Sequence, residues 1–122
     1  MMVTNICTSP SSTIALQAGK WVNITTFMPA KTATYWVSVD LDVKGGTISI
    51  SGVQGEFSAS QRVSYSTRFS GSSRPSMNYS VRSGSPTVTV TNILICTWDE
   101  YQANKPLLDS IGYFTGDTMP QA

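Results

Sequence analysis

The chain of 122 residues contains no histidine. That absence removes the side chain most used as a general base near neutral pH, the commonest metal-ligating ring, and the base of every Ser-His or Cys-His nucleophilic pair. Charge is also scarce. Only 12% of the residues are Asp, Glu, Lys or Arg, and the formal net charge is +1. A nucleic-acid binder carries a strongly basic total, with Lys-rich clusters and stacking aromatics on one surface, so no nucleic-acid partner is expected. Nowhere do 18 apolar residues run together, and no membrane-spanning helix is expected either. The opening segment MMVTNICTSPSS lacks the basic n-region and apolar h-region of a signal peptide. Synthesis in the cytoplasm without export is the corresponding expectation, and with it reduced thiols at Cys7 and Cys96 rather than a disulfide.

What the chain has in quantity is hydroxyl and alternation. Ser and Thr make up roughly a quarter of it, a mix that suits strand surfaces and turns and is typical of extracellular or virion β proteins. Between Thr34 and Val43, the residues Tyr35, Val37, Val39, Leu41 and Val43 alternate with Trp36, Ser38, Asp40 and Asp42. Period-2 alternation marks a half-buried antiparallel strand. Gly45-Gly46 then predicts a two-residue hairpin turn that returns Ile48 and Ile50 beside the first strand.

Further strands are expected at Thr13 to Leu16, at Lys20 to Phe27 (stopped by Pro29) and at Arg62 to Phe69. Another carries Met77, Tyr79 and Val81 on one face and closes at Ser83-Gly84-Ser85-Pro86. The last strand, Thr87 to Cys96, changes phase between Val88/Val90 and Ile93/Ile95, which predicts a bulge near Thr91-Asn92. Seven or eight short strands at roughly ten-residue spacing argue an all-β fold, an antiparallel β-sandwich or jelly roll. Residues 1–12 read as an extended N-terminal arm and 13–98 as the sandwich core. Residues 99–122 read as an irregular C-terminal tail that packs on the sandwich or on a partner, with one or two helical turns between Asp99 and Pro106.

The chemistry is thin. A glycosidase holds two carboxyls across a cleft, whereas Asp40 and Asp42 share one strand face; no DxDxDG-type loop supports a calcium site. No catalytic residue, metal or cofactor is expected, and the chain reads as a non-enzyme. Trp36, flanked by Ser38, Asp40 and Asp42, has the composition of a sugar platform, because sugar CH groups stack on indole while carboxylates accept hydroxyl protons. Packing of Trp36 under a loop or against a neighbouring subunit fits the same residues. Arg62, Arg68, Arg74 and Arg82 fall in a span from Phe57 to Trp98 that contains no acid, and Asp99, Glu100, Asp109 and Asp117 follow it with Lys105 alone. These are solvated charges or complementary patches for self-association as a dimer or trimer, or for an acidic partner.

Three segments carry a family resemblance: YWVSVDLDVKGGTISISG at 35–52, TVTVTNILI at 87–95 and YFTGDTMP at 113–120. Together they resemble the carbohydrate-binding-module-like jelly rolls of tailed-phage structural proteins, with Glu100, Tyr113, Phe114, Gly116, Asp117 and Thr118 matching the family's closing segment. The stretch between Glu100 and Tyr113 is longer than that pattern, and Met119 interrupts its Thr-Pro. As a free-standing chain the resemblance implies a capsid decoration protein that binds the major capsid protein on the virion exterior and stabilises the assembled shell. The alternative is a carbohydrate-binding module of a phage tail or host-recognition apparatus. In the decoration reading the expected contacts are Met1, Met2, Val3, Thr4 and Asn5 of the arm, Arg62 and Arg68 of the sheet, and Tyr113 and Phe114 of the tail. In the glycan reading they are Trp36, Asp40 and Asp42.

Overall fold

The alternation that begins at Tyr35 does not stop at the glycines. A computed structural model, which describes residues 12–25, 32–71, 74–106 and 108, carries it through a single strand. In chain order the elements are β1 (Ile14–Ala15), β2 (Val22–Asn23), β3 (Ala33–Ile50), β4 (Gln61–Phe69), β5 (Ser76–Met77), β6 (Tyr79–Thr97) and the helix α1 (Trp98–Ala103). The arm residues Met1 to Asn5, Cys7, Pro29, and Tyr113 and Phe114 of the tail lie outside the described residues. The fold is an antiparallel all-β sandwich. A four-stranded sheet in the order β1-β6-β3-β4 is accompanied by a two-stranded ribbon, β2-β5.

The hairpin expected at Gly45-Gly46 is not formed, and neither is the turn expected at Ser83 to Pro86. Instead β3 and β6 pair antiparallel from Tyr35↔Thr97 to Ile50↔Tyr79, and the two glycine-bearing segments face each other at Gly46↔Gly84. The register slips three times, between Ser38 and Asp40, between Lys44 and Gly46, and between Thr47 and Ile48. Each slip places an extra residue on β6, which is the signature of a β-bulge. Positive φ values at Gly45 (85°) and Gly84 (72°) supply the local bend. A Cβ added to Gly46 would collide with the Ser83 carbonyl oxygen, and one added to Gly84 would meet the Gly45 carbonyl oxygen. The glycines therefore serve a close passage of two backbones, not a reversal of one.

The expected bulge near Thr91-Asn92 is present: Asn92 has φ 51° and sits at the first slip. Its consequence is that Val88 and Val90 before it and Ile93 and Ile95 after it all enter one core. That core joins Tyr35, Val37, Val39, Leu41 and Val43 to Val63 and Tyr65 of β4, and the ribbon closes it with Ile24 and Met77. Each such aliphatic side chain contributes about 1.5–3 kcal/mol when withdrawn from water. Val81, expected on the buried face with Met77 and Tyr79, is 44% exposed. It pairs with Ile48 beside the slip at Arg82, where the ladder is irregular. After Ile50 the chain doubles back, and Phe57 and Ile48 exchange backbone N–H···O bonds of 2.9 Å.

Gly46→Ala is expected to destabilise the protein by about 1–3 kcal/mol, the cost of overpacking a closed site. The nearest obstacle is backbone, so Pro86→Ala should not rescue it. Urea unfolding checks this, and an unchanged midpoint would contradict the strand crossing.

Candidate functional site

The outward face of β3 is divided in two. In its middle, Asp40 and Asp42 face a shallow groove of about 310 Å³ lined also by Ser60, Arg62, Thr89 and Thr91. The pairing Asp40↔Arg62 places a guanidinium against a carboxylate, at 3.2 Å. Arg62 further donates to the Ser38 hydroxyl at 2.9 Å and to the Asn92 carbonyl at 2.6 Å. The Asn92 side-chain amide donates to the second oxygen of Asp40 at 2.6 Å, and Ser38 and Ser64 share a hydroxyl hydrogen bond of 2.8 Å. Asp42 accepts from Ser60 at 2.5 Å and lies 3.6 Å from the Lys44 ammonium. Both carboxylates are thus engaged by neighbours. They stand on one strand rather than across a cleft, and among the described residues no three His, Cys, Asp or Glu side chains gather as a metal site.

At the Tyr35 end the same face is dry. Thr97 ends β6 and caps α1: its hydroxyl accepts from the Glu100 N–H at 3.2 Å, and the Glu100 carboxylate accepts from the Thr97 N–H at 3.1 Å. This capping box lays α1 across the sheet, so that Tyr101 stacks on Trp36 with ring centroids 3.8 Å apart and planes 13° from parallel. Trp98 tilts against both rings, and Leu94, Cys96 and Leu108 complete a second apolar cluster. Trp36 is therefore not the open sugar platform of the glycan expectation. One face of its ring is occupied by Tyr101 of α1, so Trp36 packs under a helix, where the packing alternative named a loop or a neighbouring subunit. The signal for the helix start was present in the sequence as Thr97-x-x-Glu100, a capping-box spacing.

Burial, and secondarily the Glu100 carboxylate, push the Cys96 thiol up from its ordinary 9.0 to about 12. The Tyr65 phenol is raised by burial in the same direction, and that of Tyr35 by burial and then by Glu100. Cys96 is a free thiol in this structure.

A third region escaped the sequence reading. Trp21, just before β2, is 67% exposed. It lines a groove of about 330 Å³ with Ser51, Gly52, Tyr65, Thr67, Arg68, Phe69, Ser70, Arg74 and Ser76. Arg68 thus shares a site with Trp21 and Arg74, not with Arg62, whose contacts are internal. Trp21 and Asn23 alternate with Val22 and Ile24, which puts Trp21 on the polar face of a strand, but nothing local in the sequence ties it to arginines about fifty residues away.

Compared with protein-family models, with curated proteins and with solved structures, the chain matches none.

Two stability results are expected from this geometry. Trp36→Ala should cost about 2–4 kcal/mol in thermal unfolding, because a large aromatic leaves a packed cluster; a loss under about 0.5 kcal/mol would be that of an ordinary surface position. In the second, the unfolded Cys96 thiol ionises near 9 while the folded one keeps its proton to about 12. The folded state then binds more protons, and stability falls as pH rises through that window. Urea midpoints measured across it should decline, and Cys96→Ala should flatten the first part of the decline even though it lowers the starting stability.

Proposed function

We propose that the chain is a non-enzymatic virion structural protein, a jelly-roll-like decoration subunit that binds the major capsid protein on the exterior of an assembled phage shell. The supporting observation is the edge strand. Among the described residues β4 ends the four-stranded sheet, with nine residues and no proline. An edge of that length presents unpaired backbone N–H and C=O groups to which a neighbouring chain can add a strand. Arg68 on that strand is exposed and makes no ion pair among the described residues, so it is free to meet an acidic partner surface or a second copy. A protein that binds only the assembled shell stabilises it by mass action.

The engagement of Asp40 and Asp42 with Arg62, Asn92, Ser60 and Lys44 fits a scaffold better than a reacting centre. The alternative, a carbohydrate-binding module of a phage tail, loses Trp36 as its platform but gains the exposed Trp21.

The two arginines separate attachment from folding. Arg68→Glu should leave the melting temperature unchanged and reduce occupancy on shells lacking the protein, in a salt-dependent way. Arg62→Gln should instead lower stability by about 1–3 kcal/mol, since it strips partners from half-buried polar groups. Sedimentation of shells with bound protein measures occupancy. Failure of the wild-type protein to bind shells of its parent phage would reject the proposal.

A further inference from the structure

Trp21 is the one aromatic side chain among the described residues that is exposed rather than buried or half-buried. Indole offers a large apolar face, so leaving it in water forgoes burial that the rest of the chain uses efficiently. Its position is set by the ribbon, where Val22 pairs with Met77 and Asn23 with Ser76. The antiparallel register carries on past β2, where the Ile24 N–H donates to the Pro75 carbonyl at 2.9 Å, so Trp21 falls toward Asn78 and meets Ser76 and Arg74 along the face of the ribbon, where all three line one groove. From the other side the end of β4 contributes Thr67 and Arg68, and the turn after β3 contributes Ser51 and Gly52. The groove therefore lies between the ribbon and the sheet, with Tyr65 and Phe69 among its walls.

The charge of this groove is one-sided. Arg68 and Arg74 are both exposed, and neither is in an ion pair among the described residues. Among the described residues no acid lines the groove. Two guanidinium groups lining the same groove as an exposed indole, with the Thr67, Ser51 and Ser76 hydroxyls, make three kinds of contact available together. The indole face takes the CH groups on the apolar face of a pyranose ring, the hydroxyls exchange hydrogen bonds with ring hydroxyls, and a guanidinium binds a carboxylate through two parallel N–H···O bonds. A volume of about 330 Å³ is at the small end of the ~300–1,000 Å³ typical of small-ligand sites, room for one or two sugar rings rather than a long chain. At Gly52, φ +85°, an added Cβ would meet no atom of the described residues within 4 Å, so this part of the groove's lining is open among them.

We infer that the groove formed by Trp21, Arg68 and Arg74 binds a carboxylate-bearing sugar, a unit of the uronic-acid class within an acidic glycan. The indole stacks on the pyranose ring and the arginines hold the carboxylate. The inference rests on the glycan-binding alternative and gives Arg68 a sugar carboxylate in place of a shell contact; the decoration reading stands on the β4 edge as well, so failure of the inference leaves that reading standing.

The test uses the isolated protein, titrated with short oligomers of galacturonate and of glucuronate, with their methyl esters and with inorganic phosphate, followed by tryptophan fluorescence and calorimetry. At least one uronate oligomer should bind saturably, and its methyl ester at least tenfold more weakly. Trp21→Ala, and separately Arg68→Gln with Arg74→Gln, should each weaken the uronate tenfold or more while the melting temperature stays unchanged. Equal affinity for acid and ester would overturn the carboxylate assignment while preserving a glycan site. Phosphate bound as tightly as uronate, with neither affected by Trp21→Ala, would reduce the groove to a simple anion patch. Absence of saturable binding by every uronate tested would overturn the inference outright.

Discussion

The rest of the molecule depends on the antiparallel pairing of β3 with β6 along almost their whole length. Strands of 18 and 19 residues are far longer than the usual five or six, and a regular ladder of that length would twist its ends well away from one another. Three bulges on β6 manage that length. Each inserts one residue into β6 against β3, bending the strand and resetting which of its side chains face inward. Without the insertion at Asn92, either Val88 and Val90 or Ile93 and Ile95 would be turned out to water. With it, all four are buried, at a cost limited to one left-handed residue whose amide is recovered by Asp40.

The same insertion creates the two unlike halves of the outer face. Once Ile93 and Ile95 point inward, Leu94 and Cys96 must point outward, and a dry patch opens at the end of the sheet where Trp36 already stands. The helix α1 covers it because Thr97, the last strand residue, is also a good N-cap. Farther along, the outward positions hold Ser38, Asp40 and Asp42, and among the described residues no helix covers them. There the polar groups satisfy one another, with Arg62 reaching across from β4 as the hub. The guanidinium is half-buried and bonded on several sides, so its role is to hold β4, β3 and the β6 bulge in register.

Local periodicity made much of this fold legible. The inward set from Tyr35 to Val43, the strand with Val63 and Tyr65, and the phase change at Asn92 all follow from alternation, because burial on one face selects every second residue. The glycines were read incorrectly for a physical reason: Gly-Gly between alternating runs suits a tight reversal and a close crossing equally well, and only the partner strand decides which. Here two such segments, Gly45-Gly46 and Ser83 to Pro86, are each other's partners, a relation across about forty residues that periodicity does not encode. Trp36 was placed on the correct face, but its cover came from Tyr101, beyond the end of the strand. The arginines of the acid-free span looked equivalent in sequence, and their difference arises only from the neighbour each meets across the sheet.

That difference decides which charged side chains on this scaffold are taken up by the fold and which are left available. Arg62 spends its hydrogen-bonding capacity on the fold, so removing it changes the platform rather than the contact surface. Arg68 lies six residues along the same strand, also at an even-numbered position, but opposite Thr34 instead of Asp40. With no carboxylate across from it, its charge stays available, and the ribbon places Trp21 and Arg74 beside it. Which charges stay available on this scaffold is therefore set by where the internal polar network ends. Inside that network the side chains hold strands together, and at its margin the same residue types are left facing outward.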